Sequence, residues 1–123
     1  MTTSTAPALT AAERMAAAVA LLDAGASGSA HPRATAFLLR RALEGKLDTY
    51  LSRQRPALGR CRMQTKVVWL AHHLNPELAG RIAAVWSSLS GACHYQQYAM
   101  PPTVGELLSW YDEVAFVLRA LPS

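Results

Sequence analysis

His94 closes the run Leu89-Ser90-Gly91-Ala92-Cys93-His94, at the end of a long helical pattern and shortly before Met100-Pro101-Pro102-Thr103. An imidazole exchanges protons near neutral pH, and this one stands among small polar residues that let a ligand or a partner helix come close. Ser90 places a hydroxyl one turn earlier on the same helix. Ser87, Gly91 and His94 share a narrow side of the same helix, which predicts a contact face for a second copy of the chain. Arg81 falls on another side, so a cation acting with His94 must come from another helix or another chain. The alternative for a lone histidine at a helix end is a hydrogen-bonding role or a favourable interaction with the helix dipole.

A second set of residues points to phosphates. Between Thr49 and Pro76 there is no acid, while Arg53, Arg55, Arg60, Arg62 and Lys66 all fall inside that interval. On a helix running from about Leu58 to Leu74, Arg62, Lys66, Trp69 and His73 form one stripe at i, i+4, i+7 and i+11. It lies nearly opposite the apolar stripe of Met63, Val67, Leu70 and Leu74. Cations beside an aromatic plane supply phosphate neutralisation and base stacking, the two things single-stranded nucleic acid asks of a protein surface. The alternative is that Trp69 is covered by the first helix or a second subunit while the cations are merely solvated. Cys61, His72, His73, Cys93 and His94 lack the paired short spacings of a zinc site, so no metal and no cofactor are expected.

These residues need helices to place them. Alanine and leucine dominate, β-branched residues are sparse, and no run alternates with period two, which predicts an all-α chain. Residues 1–9 are a Ser/Thr/Ala/Pro tail, and 10–123 form one domain, an antiparallel bundle of about five helices. Thr10-Ala-Ala-Glu13 is a capping box that starts a helix near Ala11 and carries it to about Ala24. After a Gly/Ser/Ala link, a second helix runs from Pro32 to Gln54 with Ala36, Leu39, Leu43, Leu47, Tyr50 and Leu51 on its apolar side. Asn75-Pro76-Glu77 is an N-cap, a proline at the first helical position and an acid in the first turn. The helix it starts buries Leu78, Ile82, Val85, Trp86, Leu89 and Cys93. Thr103-Val-Gly-Glu106 is a second capping box, leading a last helix lined by Leu107, Tyr111, Val114, Leu118 and Leu121. Gly45, Gly80, Gly91 and Gly105 all interrupt helical patterns, and Gly91 is the strongest candidate for close helix approach.

Composition narrows the classes. With 51% hydrophobic and 16% charged residues in 123, the chain is ordered rather than disordered and builds one modest core. A net charge of +4 admits an anionic partner without requiring one. Two cysteines make no disulfide framework and read as thiols of a reducing compartment. The apolar stretch Met15 to Leu22 is too short to span a membrane, and Glu13 and Asp23 flank it where a leader would be basic. A cytoplasmic location follows as the expectation.

From Arg33 to Leu121 the chain resembles the HEPN superfamily. The likeness rests on the long second helix, a helix ending in the polar-small-small-x-His segment Ser90 to His94, a loop, and a last helix opening Pro102-Thr103-x-x-Glu106-Leu107. It looks most similar to small stand-alone bacterial HEPN-like proteins. The resemblance implies a homodimer and an RNA- or nucleotide-binding function linked to stress, toxin or defence systems. For many members it also implies a metal-independent ribonuclease in which a histidine acts as acid and base while an arginine steadies the scissile phosphate. If His94 is that histidine, Ser90 matches the polar position of the family signature, so the resemblance implies His94 and Ser90 as the catalytic residues. The arginine then belongs at 87, 88 or 89, and these positions hold Ser87, Ser88 and Leu89. At most a weak ribonuclease is implied, because that charge stabilisation is missing. The other class left open is a non-enzymatic module that docks a protein partner, such as a nucleic-acid-processing or defence protein.

Overall fold

Proline and the residue before it set the limits of the longest helix. Pro32 fits the first helical position because its missing N–H would have no partner there. At the other end Pro56 forces Arg55 into extended backbone, φ −150° and ψ 123°. The computed structural model describes residues 9–26, 31–94 and 100–122 and is all helical. In chain order α1 spans Ala11–Ala26, α2 Pro32–Gln54, α3 Met63–His73, α4 Pro76–Cys93 and α5 Val104–Ala120. A 3₁₀ turn, Pro56–Arg60, stands between α2 and α3. The expected tail, apart from the exposed Leu9, lies outside the described residues, as do 27–30 of the first link and 95–99 of the last loop. No helix among the described residues is long and apolar enough to cross a membrane.

The capping signals act as local chemistry. In α1 the Thr10 N–H donates to Glu13 Oε1 at 2.8 Å while Thr10 Oγ1 accepts from the Glu13 N–H at 3.1 Å. These bonds hold the Glu13 carboxyl below the usual glutamate range. Thr103 and Glu106 repeat the box at α5 with distances of 3.0 and 3.1 Å. Asn75 Oδ1 accepts the Leu78 N–H at 2.9 Å and starts α4.

α2 is the hub, packed against α1, α4, α5 and the 3₁₀ turn. Leu39, Leu43, Leu47 and Leu51 are wholly buried, each one helical turn from the next. Each contributes about 1.5–3 kcal/mol from removal of its side chain from water. Ile82 and Leu89 of α4, and Val114 and Val117 of α5, close the core from the other side. Val117 replaces the half-buried Tyr111 and Leu118 as the inner contact of the last helix, because that helix presents a broader face than one stripe.

The third helix corrects the sequence-based expectation. It begins at Met63 instead of Leu58, and Arg62 is its N-cap, with φ −67° and ψ 156°. The chain must first fold back onto α2: Leu58 is buried there, and Gly59 lies so near that a Cβ would meet Ser52 Oγ at 2.1 Å. Cys61 and Arg62 are then both extended, and the helix restarts. Lys66 does not point away from the core. It is only 7% exposed and pairs with Asp48 of α2, which clips α3 to the hub.

Removing one member of that pair and replacing the other have different consequences. Asp48→Ala strands a buried ammonium and is expected to cost about 2 kcal/mol, discounted from the fully buried case because Asp48 itself is half in water. Lys66→Met, which leaves unpaired only a carboxylate already half in water, is expected to be near neutral. Urea midpoints of the two variants check this, and equal losses would refute the clip.

Candidate functional site

The last turns of α4 divide into an inner and an outer side. Leu89 is in the core, while Ser87, Gly91 and His94 are exposed. His94 caps the helix in extended backbone, and its N–H donates to the Ser90 carbonyl at 3.2 Å. Ser90 Oγ is shielded from solvent and has no hydrogen-bond partner. No hydrogen bond therefore joins the Ser90 hydroxyl to the His94 imidazole.

Arg81 is engaged elsewhere. Its Nε donates to Glu113 Oε2 at 3.1 Å, a second bond joins the same carboxylate, and the guanidinium stacks 3.8 Å above the Phe116 ring. Arg40 instead enters the seam between α2 and α4. Its Nε lies 3.8 Å from Glu44 Oε2, and Trp86 Nε1 donates to that same oxygen at 3.0 Å. Cys93 borders this seam. Burial pushes its thiol up, the Arg40 charge works against that shift and the Glu44 charge adds to it. A thiol so placed is mostly protonated near neutral pH and is a poor nucleophile. The seam is absent from the sequence-based site. Only the i, i+4 spacing of Arg40 and Glu44 hinted at it, and their Trp86 partner lies forty-two residues on.

The phosphate-directed residues fare differently from one another. Arg53, Arg55, Arg60 and Arg62 are all exposed, and none has an ion-pair partner among the described residues. Arg53 and Arg55 also sit at the C-terminal end of α2, where the helix dipole favours cations. Lys66 is removed from the set by Asp48. Trp69 is half-buried: its ring meets Tyr50 edge-on, with centroids 6.4 Å apart, and lies parallel to His73 at 4.5 Å. The cover on Trp69 thus comes from α2 and from its own helix, not from α1. His73, held by a 3.1 Å contact between Nδ1 and the Trp69 carbonyl, is the exposed end of this aromatic ladder.

Among the described residues, no group of three or more His, Cys, Asp or Glu side chains is placed to hold a metal ion. A Cβ at Gly91 or Gly80 would meet nothing within 4 Å, so neither glycine serves a close contact among the described residues. Close approach occurs instead at Gly45, under Arg14, and at Gly59.

No protein family, curated protein or solved structure matches the chain.

Since Gly91 faces open space, Gly91→Leu is expected to preserve the fold and to raise helix stability by up to about 1 kcal/mol. Circular dichroism through a thermal melt reads this. A lowered midpoint that does not change with protein concentration would place a contact of the same chain on that side.

Proposed function

We propose that this chain is a HEPN-like helical protein that binds RNA or nucleotide through the arginines flanking its 3₁₀ turn. The observation that carries the reading is the set Arg53, Arg55, Arg60 and Arg62, four exposed arginines with no acid partner among the described residues, at the end of α2 and about the 3₁₀ turn that leads into the helix of Trp69 and His73. Guanidinium forks match phosphate oxygens, and the open face of His73 gives an unpaired base a surface on which to stack. In this reading a second copy pairs across Ser87, Gly91 and His94, with Gly80 leaving the same side of α4 open. Any cleavage is weak and metal-independent, with His94 moving the proton, because none of positions 87 to 89 supplies a cation. Unchanged cleavage in His94→Ala would assign the proton to another group.

One observation favours a second reading, a protein-docking module. Met63, Val67, Val68, Ala83 and Trp86 line a largely apolar groove of about 330 Å³ between α3 and α4, where Val68 is 57% exposed.

Salt separates the two. Binding of a single-stranded RNA is expected to weaken linearly on a log–log plot, and Arg60→Gln with Arg62→Gln should reduce the slope by about one, given roughly 0.7 ion released per phosphate contact. A slope unchanged in that double variant removes the arginine surface from the reading. For the pairing, sedimentation of the wild-type chain at micromolar concentration should show a dimer that Gly91→Leu dissociates; a monomer in both would discard the α4 interface.

A further inference from the structure

A second cationic feature lies between α1 and the middle of α2. Thr10, Arg14, Arg41, Gly45, Lys46 and Thr49 line most of a groove of about 380 Å³, with Leu9 and Ala11 as its apolar wall. Three cations converge there against two acids at the margin, each of which is shared with other partners. Glu13 folds back onto Thr10, and Glu44 faces Arg40, Arg41 and the Trp86 indole. Lys46 has no acid partner among the described residues.

The hub helix leaves room for one of these cations at Gly45. A glycine in a helix interior is destabilising relative to alanine, yet position 45 holds one, and a Cβ there would stand 3.2 Å from Arg14 Nη1. The missing side chain lets the guanidinium lie down on α2, where Nη1 donates to the Arg41 carbonyl at 3.5 Å. The other guanidinium N–H groups of Arg14 remain available for a ligand. Thr49 Oγ1 is occupied by the Gly45 carbonyl at 3.0 Å, so the groove offers cationic donors in preference to hydroxyls.

We infer that this groove is a phosphate-binding site, with Arg14, Arg41 and Lys46 as its donors. A carboxylate is satisfied in one plane by a single guanidinium fork. Three cations on two helices approach from different directions and suit a tetrahedral anion with acceptors on every side. The volume accommodates a phosphate together with part of a nucleoside. Lys46, Thr49 and Arg53 follow one another at i, i+3 and i+7, so the groove leads along α2 toward the arginines of the 3₁₀ turn. The source of the phosphate rests on the nucleic-acid reading above, whereas the site itself does not.

Inorganic pyrophosphate is the direct probe, titrated at low salt into the isotope-labelled full chain with amide resonances as the readout. The Gly45 and Lys46 amides are expected to shift and saturate in the wild type and to stay still in the double variant Arg14→Gln, Lys46→Gln. Gly45→Ala is expected to weaken the binding several-fold while the thermal midpoint holds or rises, a split that a merely tolerated glycine would not produce. Unmoved amides in the wild type, or equal saturation in the double variant, overturn the site. Competition by a hydroxyl-terminated oligouridylate assigns the groove to an internal phosphodiester, and competition by ADP alone assigns it to a terminal phosphate. A wild type that binds pyrophosphate but no RNA or ADP supports the groove and removes the nucleic-acid reading. If RNA binding persists and depends on Arg60 and Arg62 while the double variant titrates like wild type, the groove falls and that reading stands.

Discussion

Burial of the leucine row of α2 is the constraint on which the molecule depends. Leu39, Leu43, Leu47 and Leu51 reach zero exposure only because α1, α4, α5 and the 3₁₀ turn each take a share of one helix. A helix so enclosed keeps a narrow arc for polar groups. Arg40, Arg41, Glu44, Lys46 and Asp48 lie outside the leucine row, and two of them, Glu44 and Asp48, bind neighbouring helices through their side chains. Glu44 holds the Trp86 indole, Asp48 holds Lys66, and the Arg41 carbonyl accepts from Arg14. Each is a polar contact at the edge of an apolar seam, where partial drying strengthens it and a missing partner is costly.

What could be read from the sequence was what acts over a few residues. Thr10 with Glu13, Asn75 before Pro76 and Thr103 with Glu106 are complete instructions within one turn, and the structure forms all three. The bounds of α2 were legible for the same reason, since Pro32 and Pro56 act on their immediate neighbours. The break at Cys61 and Arg62 was not, because its cause is the return of the turn onto Ser52 and the burial of Leu58. A pattern of apolar residues continues straight through that break.

The candidate site divides along the same line. An acid-free interval leaves its arginines without nearby partners, and Arg53 to Arg62 are indeed exposed and unpaired within the described residues. Lys66 belongs to the same interval, yet Asp48 claims it from eighteen positions away, a distance at which periodicity carries no information. The glycines teach the same lesson. Gly91 stands amid small residues and faces nothing, whereas Gly45 sits in an ordinary helical stretch and lies beneath a guanidinium that comes from another helix. Spacing tells where a residue points on its own helix; only the packing tells what it meets.

The ion pairs also sort the charge of the molecule in space. Lys66 with Asp48 and Arg81 with Glu113 cancel locally, Glu44 offsets one of Arg40 and Arg41, and the arginines of residues 53 to 62 have no acid partner among the described residues. The net charge of +4 is therefore spread unevenly, with cations gathered at the end of α2 and at the groove of Arg14 and Lys46, and an uneven charge gives the chain a dipole moment. In the field of a polyanion such a moment feels a torque as well as an attraction, within a screening distance of about 8 Å at physiological salt. For a polyanion of the kind proposed above, the cationic side would be turned toward the ligand before any side chain touches it, and the share of collisions arriving in the right attitude would rise without a single added contact.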